Sequence, residues 1–489
     1  MRQLERHRLF LTGGVSVLVT IGAFFPAAAE AEASQTPRYV LCEQRAQAAE
    51  VKLGGGDGPL VSVYAASVMA EEEGLRHWRR PSALSLRAAL LVHDGWSVVL
   101  PKRTDGVDGQ EHSGHARDAS YAKCIGAGLP SSTEVLCRVG SGEDGRHFAP
   151  NASWEQGRLA EFRNTELTHD FALCNLGSIA RRWQRRPHLW PSRLRMQLGL
   201  RRDEGDTLGV MQLELCRVDR PWMNVSFCSQ PLYNFQTLGQ ELPWVMEDWL
   251  EYHLGHFGFE HGEVYDIDGS FAQALEPWAR ASSWRSTTLT YHRKWPSKLS
   301  SSLQEFSKDH PYCTETLAYA HCLTTHRALS SWVALLHAPD EYLHAHKHRE
   351  RGALQEVVAW LQTDLHPELP FSFFQVNGVS FARGGPGSEE TAGAAAGRGS
   401  VIAASKLRMP MVYHHTPLID PENCMCAGPH MCYGEVDRDY RIGVTREVPP
   451  MALVVHHYVE MMERNRGRCR TMGKQCSLCT YFRDKDTVR

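Results

Sequence analysis

Hydrophobic and polar positions follow two different patterns along this chain. Up to about residue 215 the apolar runs are short and β-rich, as in PLVSVYAAS at Pro59–Ser67 and GWSVVL at Gly95–Leu100, with turn-forming pieces GGGDG and GVDGQ near them. From Pro221 the runs change. WMNVSFC reads as a strand ending at Cys228, and LGQELPWVMEDWLEYHLGHFGF puts Leu242, Val245, Met246, Trp249, Leu250, Leu254 and Phe257 on one helical face, closed by Gly255 and Gly258. GEVYDIDGS reads as a strand ending in Asp266, Asp268 and Ser270, FAQALEPWAR as a second helix and STTLTYH as a third strand. A third helix over Cys313–Arg327 leads into the strand WVALLH. Strand and helix in alternation predict an α/β fold, a mostly parallel sheet covered on both faces, preceded by a β-rich accessory domain.

A chain of 489 residues exceeds the roughly 250–300 residues that one core serves. The expected division is a leader and linker over 1–37, the accessory domain over 38–215, the α/β domain over 216–465 and a Cys-rich tail over 466–489. GGPGSEETAGAAAGRGS, 384–400, reads as a disordered insertion, and the basic stretch RRWQRRPHLWPSRLRMQLGLRR, with its prolines and tryptophans, as a surface linker.

Composition is that of an ordinary globular protein, and a formal net charge of -3 gives no electrostatic case for binding nucleic acid. The 25 histidines would make the chain more basic in an acidic secretory compartment. Arg2, Arg6 and Arg8 precede an unbroken apolar run. Ala27–Ala29 after Pro26 suit signal-peptidase cleavage, while the run is also long enough for a single-pass anchor, which needs roughly 20 residues. Both readings leave the bulk of the chain lumenal. Fourteen cysteines suit disulfides there, and Cys424, Cys426, Cys432, Cys469, Cys476 and Cys479 read as disulfide partners in preference to zinc ligands. Sequons stand at Asn151 and Asn224.

In parallel sheets ligands bind at the carboxyl ends of strands. Asp266–Ser270 and Asp340–Glu341 both fall at predicted strand ends, which brings two acidic loops towards one crevice. The pairs His414–His415 and His456–His457 end apolar runs and are candidate metal ligands or phosphate contacts.

WLEYHLGHFGFEHGEVYDIDGS, YCTETLAYAHCLTTHRALSSWVALLHAPDEYL and the later HHTPL and HHYVEMMERN together resemble glycosyltransferase family 92, closely over Trp222–Tyr342, more loosely to Arg466 and faintly before that. The resemblance implies a GT-A type, inverting transferase that adds β-linked galactose from UDP-galactose to a glycan or glycoprotein, with manganese, at the Golgi membrane or in secreted form. It implies that Asp266, Asp268 and Ser270 hold the uridine end, that Asp340 and His415 hold the cation, and that Glu341 supports the loop or meets the acceptor. The reaction needs stabilisation of the departing diphosphate and a base for the acceptor hydroxyl. Asp420 and Glu422 are candidate bases.

One position departs from the family pattern. Ala338 stands where the family has an aspartate, and His337 is the available replacement ligand. Metal binding is then weakened, or His337, His344 and basic neighbours neutralise the diphosphate, or the protein is an inactive glycan binder. A metal-dependent hydrolase built on His344, His346 and His348 lacks an H-E-x-x-H partner, and those residues read better as a solvated loop.

Overall fold

The computed structural model describes residues from Arg38 to Tyr458 with breaks, the longest at 101–122, 141–152, 177–189, 362–372 and 383–406; residues 1–37 and 459–489 also fall outside the description. The described residues belong to one compact unit. The leader, the 384–400 insertion, the Cys-rich tail, Asn151, Ala338, His346 and His348 therefore lie outside the described residues. Among the described residues no helix is long and apolar enough to cross a membrane.

The first half is a closed antiparallel barrel of eight strands: β1 (Tyr39–Leu41), β2 (Leu60–Glu73), β3 (Arg80–Val92), β4 (Glu134–Val139), β5 (Glu155–Arg163), β6 (Thr168–Asn175), β7 (Arg193–Arg201) and β8 (Gly209–Arg217). Pairing runs β1-β8-β7-β4-β5-β6-β3-β2 and returns to β1. Leu194, Met196, Leu198 and Leu200 alternate into the interior from β7, which occupies the stretch expected to be a surface linker. Arginines between those apolar residues disguise a regular strand pattern. Cys137–Cys174 joins β4 to β6 across β5. Gly157 of β5 makes room for it, since a Cβ there would stand 2.6 Å from the Cys174 sulfur.

The second half is a mixed sheet of β9 (Met223–Ser229), β10 (His261–Asp266), β11 (Thr288–Arg293), β12 (Ser330–Leu336), β13 (Glu341–His344), β14 (Phe373–Ala382), β15 (His415–Ile419) and β16 (Val454–Tyr458). Its order is β11-β10-β9-β12-β15-β14-β16-β13. Only the β11-β10-β9-β12 block is continuously parallel; β12–β15, β15–β14 and β16–β13 are antiparallel. The helices are α1 (Val245–Leu250), continued by π-helical turns to Phe257, α2 (Ala272–Ala281), α3 (Ser301–Asp309), α4 (Glu315–His326) and α5 (Ala353–Trp360). The protein is thus mostly β, and the mostly parallel, GT-A-like α/β sheet expected from the sequence is not what forms. The alternation of strand and helix holds as far as β12 and then stops. Antiparallel neighbours need no crossover helix, and few helices follow.

The mixed sheet buries both faces. Along β12, Trp332, Ala334 and Leu336 enter one core with α1 and α5, while Val333 and Leu335 enter another with α4. That second core also takes Tyr64, Ala65, Ala89 and Leu91 from the outside of the barrel. Helix α4 is therefore buried nearly all round, between barrel and sheet. Arginines join the same layers: Arg87 of β3 donates to the carbonyls of Pro421 (2.7 Å), Cys424 (3.1 Å) and Glu422 (2.8 Å), and Arg327 donates to Ser85.

Among the described residues five disulfides form: Cys42–Cys216, Cys124–Cys313, Cys137–Cys174, Cys228–Cys322 and Cys424–Cys432. Cys426 is a buried thiol. Bridges in this number place the protein in a secreted or lumenal compartment.

Arg87→Ala strands buried carbonyls at the junction of barrel and sheet. It should lower unfolding stability by about 3 kcal/mol, seen as a lower urea midpoint at unchanged slope, and Arg87→Lys should recover only part of the loss because one ammonium cannot span the three acceptors.

Candidate functional site

The two acidic loops expected to converge leave the carboxyl ends of two parallel strands that flank a third. β9 lies between β10 and β12, so their ends stand roughly 10 Å apart, two strand spacings. The segment after β9 stitches them: Gln230 N–H donates to Leu336 O (2.9 Å), Leu232 N–H to Tyr265 O (2.8 Å) and Ile267 N–H to Leu232 O (2.8 Å).

On the β10 side Asp266 is fully buried and organises its own loop. Its Oδ1 accepts from Gly269 N–H (2.9 Å), and its Oδ2 from Phe271 N–H (3.1 Å) and the Tyr291 hydroxyl (2.5 Å). Burial pushes its carboxyl up to about 6, against the hydrogen bond from Tyr291. Asp268 is exposed and accepts from Asn234 N–H (2.9 Å) and Ser270 N–H (3.0 Å), while Ser270 Oγ accepts from Phe235 N–H (2.9 Å). Partial burial would raise Asp268, but the bonds from Ser270 and Asn234 outweigh it and hold the carboxyl low. Asn234 takes left-handed backbone (φ 59°), which asparagine tolerates better than most residues.

On the β12 side Asp340 and Glu341 are both fully buried. Glu341 closes the turn: its Oε2 accepts from His337 N–H and from Thr416 Oγ1 (3.0 Å each), and its Oε1 from His337 Nδ1–H (3.0 Å). Burial would lower the His337 ring, but Glu341, then Glu315 and Asp340, hold it up at about 9, so it is an imidazolium at neutral pH. Burial works to raise Glu341, and His337 outweighs it, keeping the carboxyl far below its usual range. His337 Nε2 faces Glu315 Oε1 at 3.9 Å, close enough for an ion pair and too far for a hydrogen bond. Asp340 Oδ2 accepts from His457 Nε2–H at 3.3 Å, while its Oδ1 has no hydrogen-bond partner among the described residues. Burial alone would lower the His457 ring, and Asp340 raises it above its ordinary value.

Helix α1 and its π extension hold this loop in place. β13 is an edge strand, and side chains complete its outer edge: Trp249 Nε1–H donates to Glu341 O (2.9 Å), the Tyr252 hydroxyl to Leu343 O (2.6 Å), and Leu343 N–H to His253 Nε2 (3.4 Å). His253 can accept because burial depresses its ring to about 3 and its Nδ1–H is spent on Trp249 O.

Other expected residues fall elsewhere. His415 begins β15 opposite Asn377, and its side chain lies outside the described residues. His456 stacks on His344 at 4.7 Å, away from Asp340. Asp420 accepts from Glu422 N–H and the Asn423 amide and so builds a buried turn. Asn224 is exposed on β9, with its amide nitrogen donating to Gln355 (3.1 Å). The sequence reading missed Glu315 and Thr416, which reach Glu341's surroundings from α4 and β15 with no signal in their local spacing. Compared with protein-family models, curated proteins and solved structures, the chain matches none of them.

Folding should depend on the His337–Glu341 pair in a pH-specific way. His337's value of about 9 stands above its ordinary 6.5, so its contribution is complete below about pH 6.5 and lost as pH rises through 9. Glu341, held below its ordinary 4.5, contributes above that value and loses its effect in acid. The Tm gap between the native protein and His337→Gln should be widest near pH 5–6.5 and close above about pH 9, and Glu341→Gln should cost on the order of 3–5 kcal/mol at pH 6 by leaving the imidazolium uncompensated.

Proposed function

We propose that this protein is a glycosyltransferase that moves a hexose, with galactose as the first candidate, from a UDP-sugar to a glycan acceptor with inversion. The observation that carries the reading is that the Asp266–Ser270 and His337–Glu341 loops leave the carboxyl ends of the two parallel strands flanking β9 and are stitched together by the segment after β9, at the end where such sheets take their ligands. The family 92 resemblance of the same two segments supports it, and the lumenal or secreted placement suits a Golgi enzyme.

In this reading Asp268 receives ribose hydroxyls, with Asp266 and Ser270 fixing its loop. The acceptor hydroxyl oxygen attacks the anomeric carbon as its proton passes to a general base and the bond to the diphosphate breaks, and negative charge gathers on the departing UDP. The described donors do not make a manganese site. Of the expected ligands, Asp340 offers one free oxygen, and His337 is protonated and bonded to Glu341. Manganese prefers several hard oxygens. In this reading His337 instead supplies a fixed positive charge close to the diphosphate, acting through space because its ring nitrogens face Glu341 and Glu315, and Glu341 and Asp340 position the imidazoles.

A glycan binder without turnover is the second reading. It is favoured by the hydrogen bonds that already occupy both oxygens of Asp266 and of Glu341.

UDP release from UDP-galactose with a mixed glycan pool distinguishes the two. The transferase reading expects release that survives chelation and falls about 100-fold in kcat in His337→Gln with little change in KM. No release from any UDP-sugar by folded protein that is still retained on a glycan array would establish the binder.

A further inference from the structure

A second polar cluster sits away from that crevice, on the opposite face of β10. His261, Glu263 and Tyr265 alternate onto the side that meets α4, where the sheet is otherwise apolar. Glu263 is buried, and four groups from three elements converge on it. Its Oε1 receives His292 Nε2 from β11 (2.7 Å), His321 Nδ1 from α4 (3.1 Å) and the Tyr265 hydroxyl (2.8 Å); its Oε2 receives His326 Nε2 from α4 (3.0 Å).

This arrangement is more than a carboxylate oxygen needs. Three polar atoms crowd an oxygen that has two lone pairs, and the Tyr265 hydroxyl lies a further 3.0 Å from His321 Nδ1. None of the groups bonded to Glu263 is a permanent cation, although a buried carboxylate calls for one. We propose that Glu263, His292 and His321 form a zinc site that ties β10, β11 and α4 together.

The ligand atoms are Glu263 Oε1, His292 Nε2 and His321 Nδ1, mutually within 4.8 Å. Ligands of a tetrahedral zinc, each about 2.0–2.1 Å from the metal, stand about 3.3 Å apart, so small outward shifts from 2.7 and 3.1 Å admit the ion. To ligate, each ring must carry its proton on the other nitrogen and turn a lone pair to the metal, so a ring whose N–H faces Glu263 in the metal-free protein changes tautomer as the ion binds. His326, itself bonded to Ser330 Oγ at 3.0 Å, and Tyr265 fix the carboxylate, as groups behind zinc ligands commonly do. The side chains of His292 and His321 are 18% and 15% exposed, which leaves a route for the ion, and the Tyr265 hydroxyl, 2.8 Å from Glu263 Oε1 and 3.0 Å from His321 Nδ1, stands beside the three ligand atoms. The Cys228–Cys322 disulfide removes the competing thiolates beside His326.

Cobalt(II) titration of the chelator-treated full-length protein is the test. One equivalent should bind with the visible absorption of a tetrahedral ion and be displaced by zinc, and His292→Gln or His321→Gln should weaken binding at least about 100-fold while Asp340→Asn leaves it unchanged. Zinc should also shield His292 of the native protein from acylation by diethyl pyrocarbonate, a readout that needs no variant. Absence of the cobalt band in folded native protein, binding that survives both histidine substitutions, or equal acylation of His292 with and without zinc would overturn the proposal.

Discussion

A strand at the edge of a buried sheet has a row of backbone groups that must be satisfied by something other than another strand. At β13 that role falls to Trp249, Tyr252 and His253, which reach from one helix to the backbone of Glu341 and Leu343. The rest of the crevice depends on this arrangement. With β13 held between these side chains and β16, Asp340 and Glu341 cannot slip in register, because a one-residue shift would turn each side chain to the other face. His253 must stay neutral for the scheme to work, and its complete burial ensures that.

The electrostatics of the two loops are opposite in kind. Around Asp266 the polar groups are uncharged donors, backbone N–H and a tyrosine hydroxyl, and the carboxyl rises with burial. Around Glu341 a charged ring answers a charged carboxyl. The Glu263 cluster stands apart from both, on the α4 side of the sheet, and its geometry serves cohesion between elements rather than a reaction.

Much of the local structure was legible in the residues. The helical face from Val245 to Phe257, the strands ending at Asp266 and Leu336, and the long helix before β12 all follow from periodicity. The overall architecture was not. Barrel closure depends on β2 pairing with β1, and the outer face of β2 is apolar because α4 covers it, a relation between residues some 250 positions apart. Antiparallel insertion of β15 beside β12 is likewise a choice between distant partners. The acidic residues of both loops could be nominated from strand ends, whereas Glu263 in HGEVYD looks like one polar position in an ordinary strand until His292, His321 and His326 arrive from elsewhere.

The double-sided burial of α4 has a consequence for biosynthesis. The last barrel strand ends at Arg217, but the helix that covers the barrel's outer apolar surface begins at Glu315, about a hundred residues later. At roughly 5–20 residues per second, a nascent chain carries an assembled but uncovered barrel for on the order of 5–20 seconds. Cys124 waits over the same interval for Cys313, while Cys42–Cys216 and Cys137–Cys174 already have both partners. Through that interval the thiols of Cys124 and of Cys228, whose partner is Cys322, are presented to the lumen together with an apolar surface, which makes this chain a natural client of the chaperones and disulfide isomerases that attend emerging polypeptides there.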